Sequence, residues 1–360
     1  MTSNQRAIAR PQLVALLCAA AITGCGRGGA DGAASTVDLT GAGATFPFPV
    51  YRQWIADYMQ RTGGRINYLS VGSAEGLRLL AAGDVEFGAV DREPTTAELG
   101  TASCPRIAVP MLVGAVAVVY HLPGVEQPLR LDAPALRAIY DGTVMRWNAG
   151  VIARQNPGVR LPATPIVVVH REAGSATSLS FAAYIRGPAR PAALAPTDPA
   201  WKVGYAAKGN EGVAAQVQQT VGAIGYVELA YAAPSGLPVA LLKNGAGEYA
   251  RPSEATLNAT VMKGLEGRAD AQGAALVGLP MSGTYPIGAI TWLVLDPARL
   301  GKQKGRKVVA FAEWALREGS ESARRLEYVP LPPAIVAHYD SMLAALTFAP
   351  CTPGSSAQGQ

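Results

Sequence analysis

The sequence is poor in the residues that build metal sites and charged tails. Histidine occurs three times, at His121, His170 and His338, in no zinc-ligand spacing, which removes support for a metal-assisted hydrolase. Charged residues make up only 16% of the 360, and their basic excess is too small to argue for a nucleic-acid partner. No internal repeat is visible. The leading apolar run falls short of the roughly 20 residues a membrane-spanning helix needs. Hydrophobic residues, by contrast, reach 49%, with 40 glycines and 27 prolines spread among apolar runs as turn punctuation. A chain this long exceeds what one core absorbs, about 250 to 300 residues, so two domains are expected.

The N-terminus reads as an export signal. Arg6 and Arg10 precede the apolar run Leu13-Val-Ala-Leu-Leu-Cys-Ala-Ala-Ala-Ile22, which ends in Thr23-Gly24-Cys25 with no acidic residue before it. Small residues followed by cysteine resemble the bacterial lipobox, so residues 1–24 are expected to be a lipoprotein signal peptide and Cys25 the lipidated residue; ordinary secretory cleavage near Ala20 is the other reading. Residues 25–36 are Gly- and Ala-rich and read as a flexible tether. Loss of the signal leaves 29 basic and 26 acidic residues, a net charge of +3. Two cysteines remain in the body, Cys104 and Cys351. In an oxidising compartment an isolated pair suggests a disulfide tying the C-terminal tail to the body, with two buried thiols as the alternative.

Along the body, strand, glycine turn and helix alternate, which argues for α/β architecture with a mainly parallel sheet. Thr40-Gly-Ala-Gly-Ala-Thr-Phe-Pro47 opens a helix carrying Tyr51, Trp54, Ile55, Tyr58 and Met59 at helical spacing. Strands are expected at 66–71 and 85–90, around a helix at 77–82. The apolar run 107–120 reads as one or two buried strands, with Pro110 near its start. A helical stretch at 136–140 precedes a buried strand at 166–170, the turn Arg171-Glu-Ala-Gly-Ser-Ala-Thr177 and a helix at 178–185. Then come a helix at 212–219, extended segments at 223–226 and 287–295, and helices at 308–317 and 334–346. Trp54 and Trp292 fit core faces, and His170 fits packing at a strand end.

A helix N-terminus offers unpaired N–H groups and about half a positive charge, so a glycine turn feeding a helix is a ready anion cradle. Thr45, Ser73, Ser175 and Thr177 place hydroxyls at three such turns, and Asp91 and Arg171 each follow a strand, where ligand-facing residues of α/β sheets lie. Singly, each is as well explained by helix capping, an ion pair or a solvated turn. Their joint order is the signal.

That order resembles the periplasmic phosphate-binding proteins of the phosphate-specific ABC transporter. The matching text is Leu39-Thr-Gly-Ala-Gly-Ala-Thr-Phe-Pro47, Gly72-Ser73 with Gly76, Phe87-Gly-Ala89 with Asp91, Arg171 with Gly174-Ser175 and Thr177, Lys208-Gly-Asn210, Gly222-Ala-Ile-Gly-Tyr-Val-Glu228 and Tyr285-Pro-Ile287. The resemblance implies a type II periplasmic-binding-protein fold, two α/β domains joined by two crossover strands near 113–119 and 286–293 with a ligand cleft between them. Domain I would comprise 37–115 and 288–348, domain II 116–287, and 349–360 a C-terminal tail. Phosphate would be held by Thr45, Phe46, Ser73, Asp91, Arg171, Ser175, Ala176 and Thr177, with Asp91 as the discriminating carboxylate and Arg171 as the guanidinium. The implied partners are inorganic phosphate and the membrane permease subunits of an ABC importer. The protein would be a monomer, periplasmic or at the cell surface, anchored through Cys25, with no cofactor, metal or catalysis.

Three residues depart from the family pattern. Ala176 stands where a glycine is usual, Ala173 where an acid often pairs with the arginine, and Glu75 adds a carboxylate near one helix N-terminus. Other readings are a secreted phosphatase of the same fold, a binder of another phosphorus oxyanion, and a homologue that keeps the fold without the ligand.

Overall fold

The computed structural model describes residues 37–101, 104–187, 199–274 and 276–350. The signal, the tether, Cys25 and Cys351 lie outside the described residues. In chain order the main sheet takes β1 (Leu39–Gly43), β2 (Ile66–Ser70), β3 (Phe87–Val90), β4 (Ile107–Tyr120), β5 (Val167–Arg171), β6 (Tyr205–Ala207), β7 (Ala223–Glu228), β8 (Gly288–Leu295) and β9 (Val329–Pro330). The main helices are α1 (Phe48–Thr62), α2 (Ser73–Ala82), α3 (Ala133–Tyr140), α4 (Ala176–Arg186), α5 (Gly209–Gln219), α6 (Glu254–Gly264), α7 (Pro297–Arg317) and α8 (Pro333–Ala344). The strands lie in the order β2-β1-β3-β8-β4-β7-β5-β6, with β9 on β4.

The sheet has two parallel wings and an antiparallel middle. In the first wing β1 runs parallel to both β2 and β3; in the second, β5 runs parallel to both β7 and β6. Between them β8 is antiparallel to β3 and β4, and β4 is antiparallel to β7. The expectation of a mainly parallel sheet therefore holds for the wings alone, where each crossover is a helix; the middle joins strands distant in sequence and needs none.

The apolar run at 107–120 is one strand of 14 residues, buried from Val109 onward. Residues 107–115 pair with β8 and residues 116–120 with β7, so this strand links the wings. Pro110 lacks the N–H a ladder needs, and the register slips opposite it, between Thr291 and Trp292.

Helices begin earlier than hydrophobic spacing suggests because caps set their starts. Asp132 caps α3 through Ala135 N; Asp296, ahead of Pro297, caps through Arg299 N the short first turn of α7, which a kink at Gly301 (φ 64°) separates from its main body. Helix α1 buries Val50, Tyr51 and Trp54, and the Trp54 indole N–H donates to Gly319 O at 2.8 Å. Helix α6 was not expected from the sequence, although Ser253 and Thr256 form a capping box at its start. All described residues belong to one compact unit, so contacts between the wings are contacts within one body.

Candidate functional site

Each candidate residue stands where a strand hands over to a helix. Thr45 and Phe46 lie between β1 and α1, Ser73 opens α2, Asp91 follows β3, Arg171 ends β5, and Ser175 caps α4 by accepting from Ser178 N. Helix α2 reaches this position because it packs on β1 with backbone against backbone. A Cβ on Gly76 would lie 2.3 Å from Gly43 Cα and 2.6 Å from Ala42 O, so only glycine permits the approach.

Thr45, Ser73, Asp91, Arg171, Ser175, Ala176 and Thr177 are all buried, and so is Phe46. Asp91 is the centre of the group. Ser73 donates from the first wing to Asp91 Oδ1 at 3.1 Å, and Thr177 donates from the second to Oδ2 at 3.0 Å. Arg171 Nη1 donates to Thr177 Oγ1 at 3.3 Å. Burial pushes the Asp91 carboxyl above its ordinary range, while Arg171 and the two hydroxyl donors pull it back down. Two donors on its two oxygens suit the ionised form, which only accepts.

Arg171 is 7% exposed and has no carboxylate partner among the described residues. Its Nε is buried without a hydrogen-bond partner, so much of the fork remains open to an anion. The Arg171 backbone N–H donates to the Tyr226 hydroxyl, which also meets Ser178 Oγ at 2.7 Å. Burial pushes the Tyr226 phenol up to about 12. His170 is half-buried, with Nδ1 3.0 Å from Arg171 O and its ring beside Trp201, consistent with packing.

The three departures have physical outcomes. Ala176 is the first residue of α4 and has no positive φ, so alanine is unstrained there. Glu172 is exposed and does not take the role that an acid at position 173 would have toward Arg171. Glu75 is held by Arg78 through two 2.8 Å bonds, which keep its carboxyl below the ordinary range. It is therefore a neutralised carboxylate rather than a bare charge facing the anion.

A cleft of 340 Å³ opens beside these residues, lined among others by Thr45, Glu75, Arg78, Arg171 and Lys208. A larger groove of 500 Å³ between α6, α7 and α8 shares none of them. No group of three or more His, Cys, Asp or Glu suited to a metal occurs among the described residues.

Sequence reasoning gave no role to a second layer that crosses between the wings. Asn210 donates from its backbone N and its Nδ2 to Thr45 Oγ1, at 3.2 and 2.8 Å. Tyr231 donates to Thr45 O at 2.5 Å. Tyr328 Oη lies 2.7 Å from Phe46 O and 2.8 Å from Glu228 Oε2. Asn210 and Glu228 sit in recognisable runs, Lys208-Gly-Asn210 and Gly222–Glu228, but no local pattern points to Tyr231 or Tyr328.

Comparisons with known proteins agree on a class. A profile of the PBP superfamily domain matches residues 29–318. The phosphate-binding protein PstS of Xylella fastidiosa is 34% identical over 314 residues, 86% of each chain. PstS of Pasteurella multocida is 34% identical over 302 residues, 83% of this chain and 87% of its own. Among solved structures, a high affinity periplasmic phosphate-binding protein bound with phosphate superposes with a TM-score of 0.66 at 23% identity, over 86% of this chain and 96% of its own. An ABC-type phosphate transport receptor from Vibrio cholerae gives 0.51 at 17%, over 82% and 100%. At these identities the structural matches establish the periplasmic-binding-protein fold.

Proposed function

The chain belongs to the PBP superfamily and, within it, to the family of the phosphate-binding proteins PstS, and from that membership we propose that it captures inorganic phosphate between its wings and delivers it to the permease of an ABC importer. The observation that carries this reading is Asp91, a buried carboxylate that receives one hydroxyl from each wing beside an arginine with an open fork. Near neutral pH phosphate keeps a P–OH and can donate to that carboxylate; sulfate is fully ionised and brings it only a like charge. Thr45, Phe46, Ser73, Arg171, Ser175, Ala176 and Thr177 would supply the remaining hydroxyls, N–H groups and charge. Nothing in this chemistry asks for a metal or an activated nucleophile, and the relatives' names describe binding rather than hydrolysis.

The same reading takes 37–115 with 288–348 and 116–287 as two lobes that close on the ligand, consistent with β4 passing from one wing's partner to the other's at residue 115. It also takes the mature protein as a monomer held at the membrane from the periplasmic or outer side by lipid on Cys25, with Cys104 bonded to Cys351. Palmitate label retained by Cys25→Ser would contradict the anchor, and free alkylation of both body cysteines without reductant would contradict the bond.

Calorimetric titration of residues 37–360 with phosphate, sulfate and pyrophosphate tests the ligand. Tight, selective uptake of phosphate is expected. Equal binding of sulfate, or heat only with pyrophosphate, would overturn the assignment.

A further inference from the structure

Asn210 is wholly buried at the start of α5, and its three side-chain and backbone bonds leave it no freedom of orientation. The Glu228 backbone N–H, which can only donate, lies 2.9 Å from one end of the amide, so that end is Oδ1. The other end is then Nδ2, and it donates to Thr45 Oγ1 at 2.8 Å. The Asn210 backbone N–H donates to the same oxygen at 3.2 Å. A threonine hydroxyl has two lone pairs and one proton. With both lone pairs engaged, Thr45 Oγ1 acts outward only as a donor, and no described residue accepts its proton. Thr45 also lines the cleft.

From this geometry we propose that Asn210 is a positioning residue: it fixes the Thr45 hydroxyl as a donor aimed at the bound anion. It acts through Thr45 and touches no ligand itself. The proposal rests on the phosphate reading above. It assigns the Lys208-Gly-Asn210 turn a task distinct from a helix cap, since Lys208, the N-cap residue of α5, makes no side-chain capping bond. It also explains why the second wing reaches across to a residue 165 positions earlier.

Asn210→Asp reverses the polarity at one atom. The Glu228 N–H is still accepted, but a carboxylate oxygen now faces Thr45 and takes its proton, so the hydroxyl turns away from the anion. A double-mutant cycle with Thr45→Val isolates that effect from the added charge. In the parent background Asn210→Asp is expected to weaken phosphate about tenfold or more, and in Thr45→Val far less. As pH falls, protonation of the introduced carboxylate restores a donor, so the ratio of variant to parent affinity should recover. Thr45→Ser, which keeps the hydroxyl, should retain the full sensitivity. If Asn210→Asp does not fold, Asn210→Ala serves in the same cycle, with a smaller loss that also disappears in Thr45→Val. Equal losses in both backgrounds with a flat pH ratio would overturn the proposal while leaving phosphate binding intact. A parent that binds no phosphate would remove the phosphate reading and this inference together.

Discussion

Glu228 is fully buried, and burial favours its protonated form. The Tyr328 hydroxyl is the donor toward two oxygens, Phe46 O at 2.7 Å and Glu228 Oε2 at 2.8 Å. Ala230 N donates to the same carboxyl oxygen at 2.8 Å, and Oε1 has no hydrogen-bond partner among the described residues. Burial is the main cause that pushes this carboxyl well above its ordinary value, against the smaller pull of Tyr328 and the backbone. The folded state thus keeps a proton that the unfolded chain has released, so this group's contribution to stability is present below the ordinary carboxylate range and is lost as pH rises through the folded value. Glu228→Gln cannot ionise. Its stability relative to the parent should therefore improve as pH rises above the ordinary carboxylate range and level off once the folded value is passed, whatever its offset at the start. Thermal midpoints of both proteins along that rise in pH measure the gap. A constant gap would mean that the carboxyl does not titrate with folding.

The contact between α2 and β1 decides where Ser73 stands. Gly76→Ala would press a methyl into Gly43 Cα and Ala42 O, both backbone atoms that cannot turn aside. The helix must then lift, at a cost of about 1 to 3 kcal/mol as for other overpacked cores. Ser73, on the same helix, should retreat from Asp91, so phosphate affinity should fall together with the urea midpoint. An alanine variant with unchanged midpoint would show that α2 has slack. This close approach also marks a limit of what sequence reveals. The turn Gly72-Ser-Ala-Glu-Gly76 was recognisable as a helix entry, but whether Gly76 served the turn or the packing depended on β1, some thirty residues earlier. The same holds for β4: its apolar run was plain, yet only the slipped register with β8 explains how Pro110 fits within it. A cap rather than apolar spacing fixed the true start of α3, and a short polar residue such as Asp132 signals too weakly to be read alone.

Across the molecule, the candidate residues that gather around Asp91 could be picked out because each belongs to a local strand, turn and helix unit whose chemistry can be read in sequence. Their supports could not be, because they come from distant parts of the chain. Thr45 meets Asn210 of the other wing at a separation of 165 residues, and Tyr328 meets Glu228 of the other wing at 100. Those bonds, with Ala74 N donating to Gly174 O at 3.3 Å, draw the two wings together around Asp91. On the proposed reading ligand choice turns on this buried carboxylate: an anion with no proton to donate brings it only a like charge, and such a mismatch costs about 1 to 3 kcal/mol or more. Arg171→Ala should weaken every anion alike, since it removes attraction without sensing protonation. Asp91→Asn separates the two effects, because the amide keeps the shape but has both a donor and an acceptor and carries no charge. The decisive measurement is a competition titration of parent and Asp91→Asn against phosphate and sulfate at fixed ionic strength. The account predicts that sulfate discrimination collapses in the variant while phosphate affinity falls much less; a variant that still rejects sulfate as strongly as the parent would contradict it.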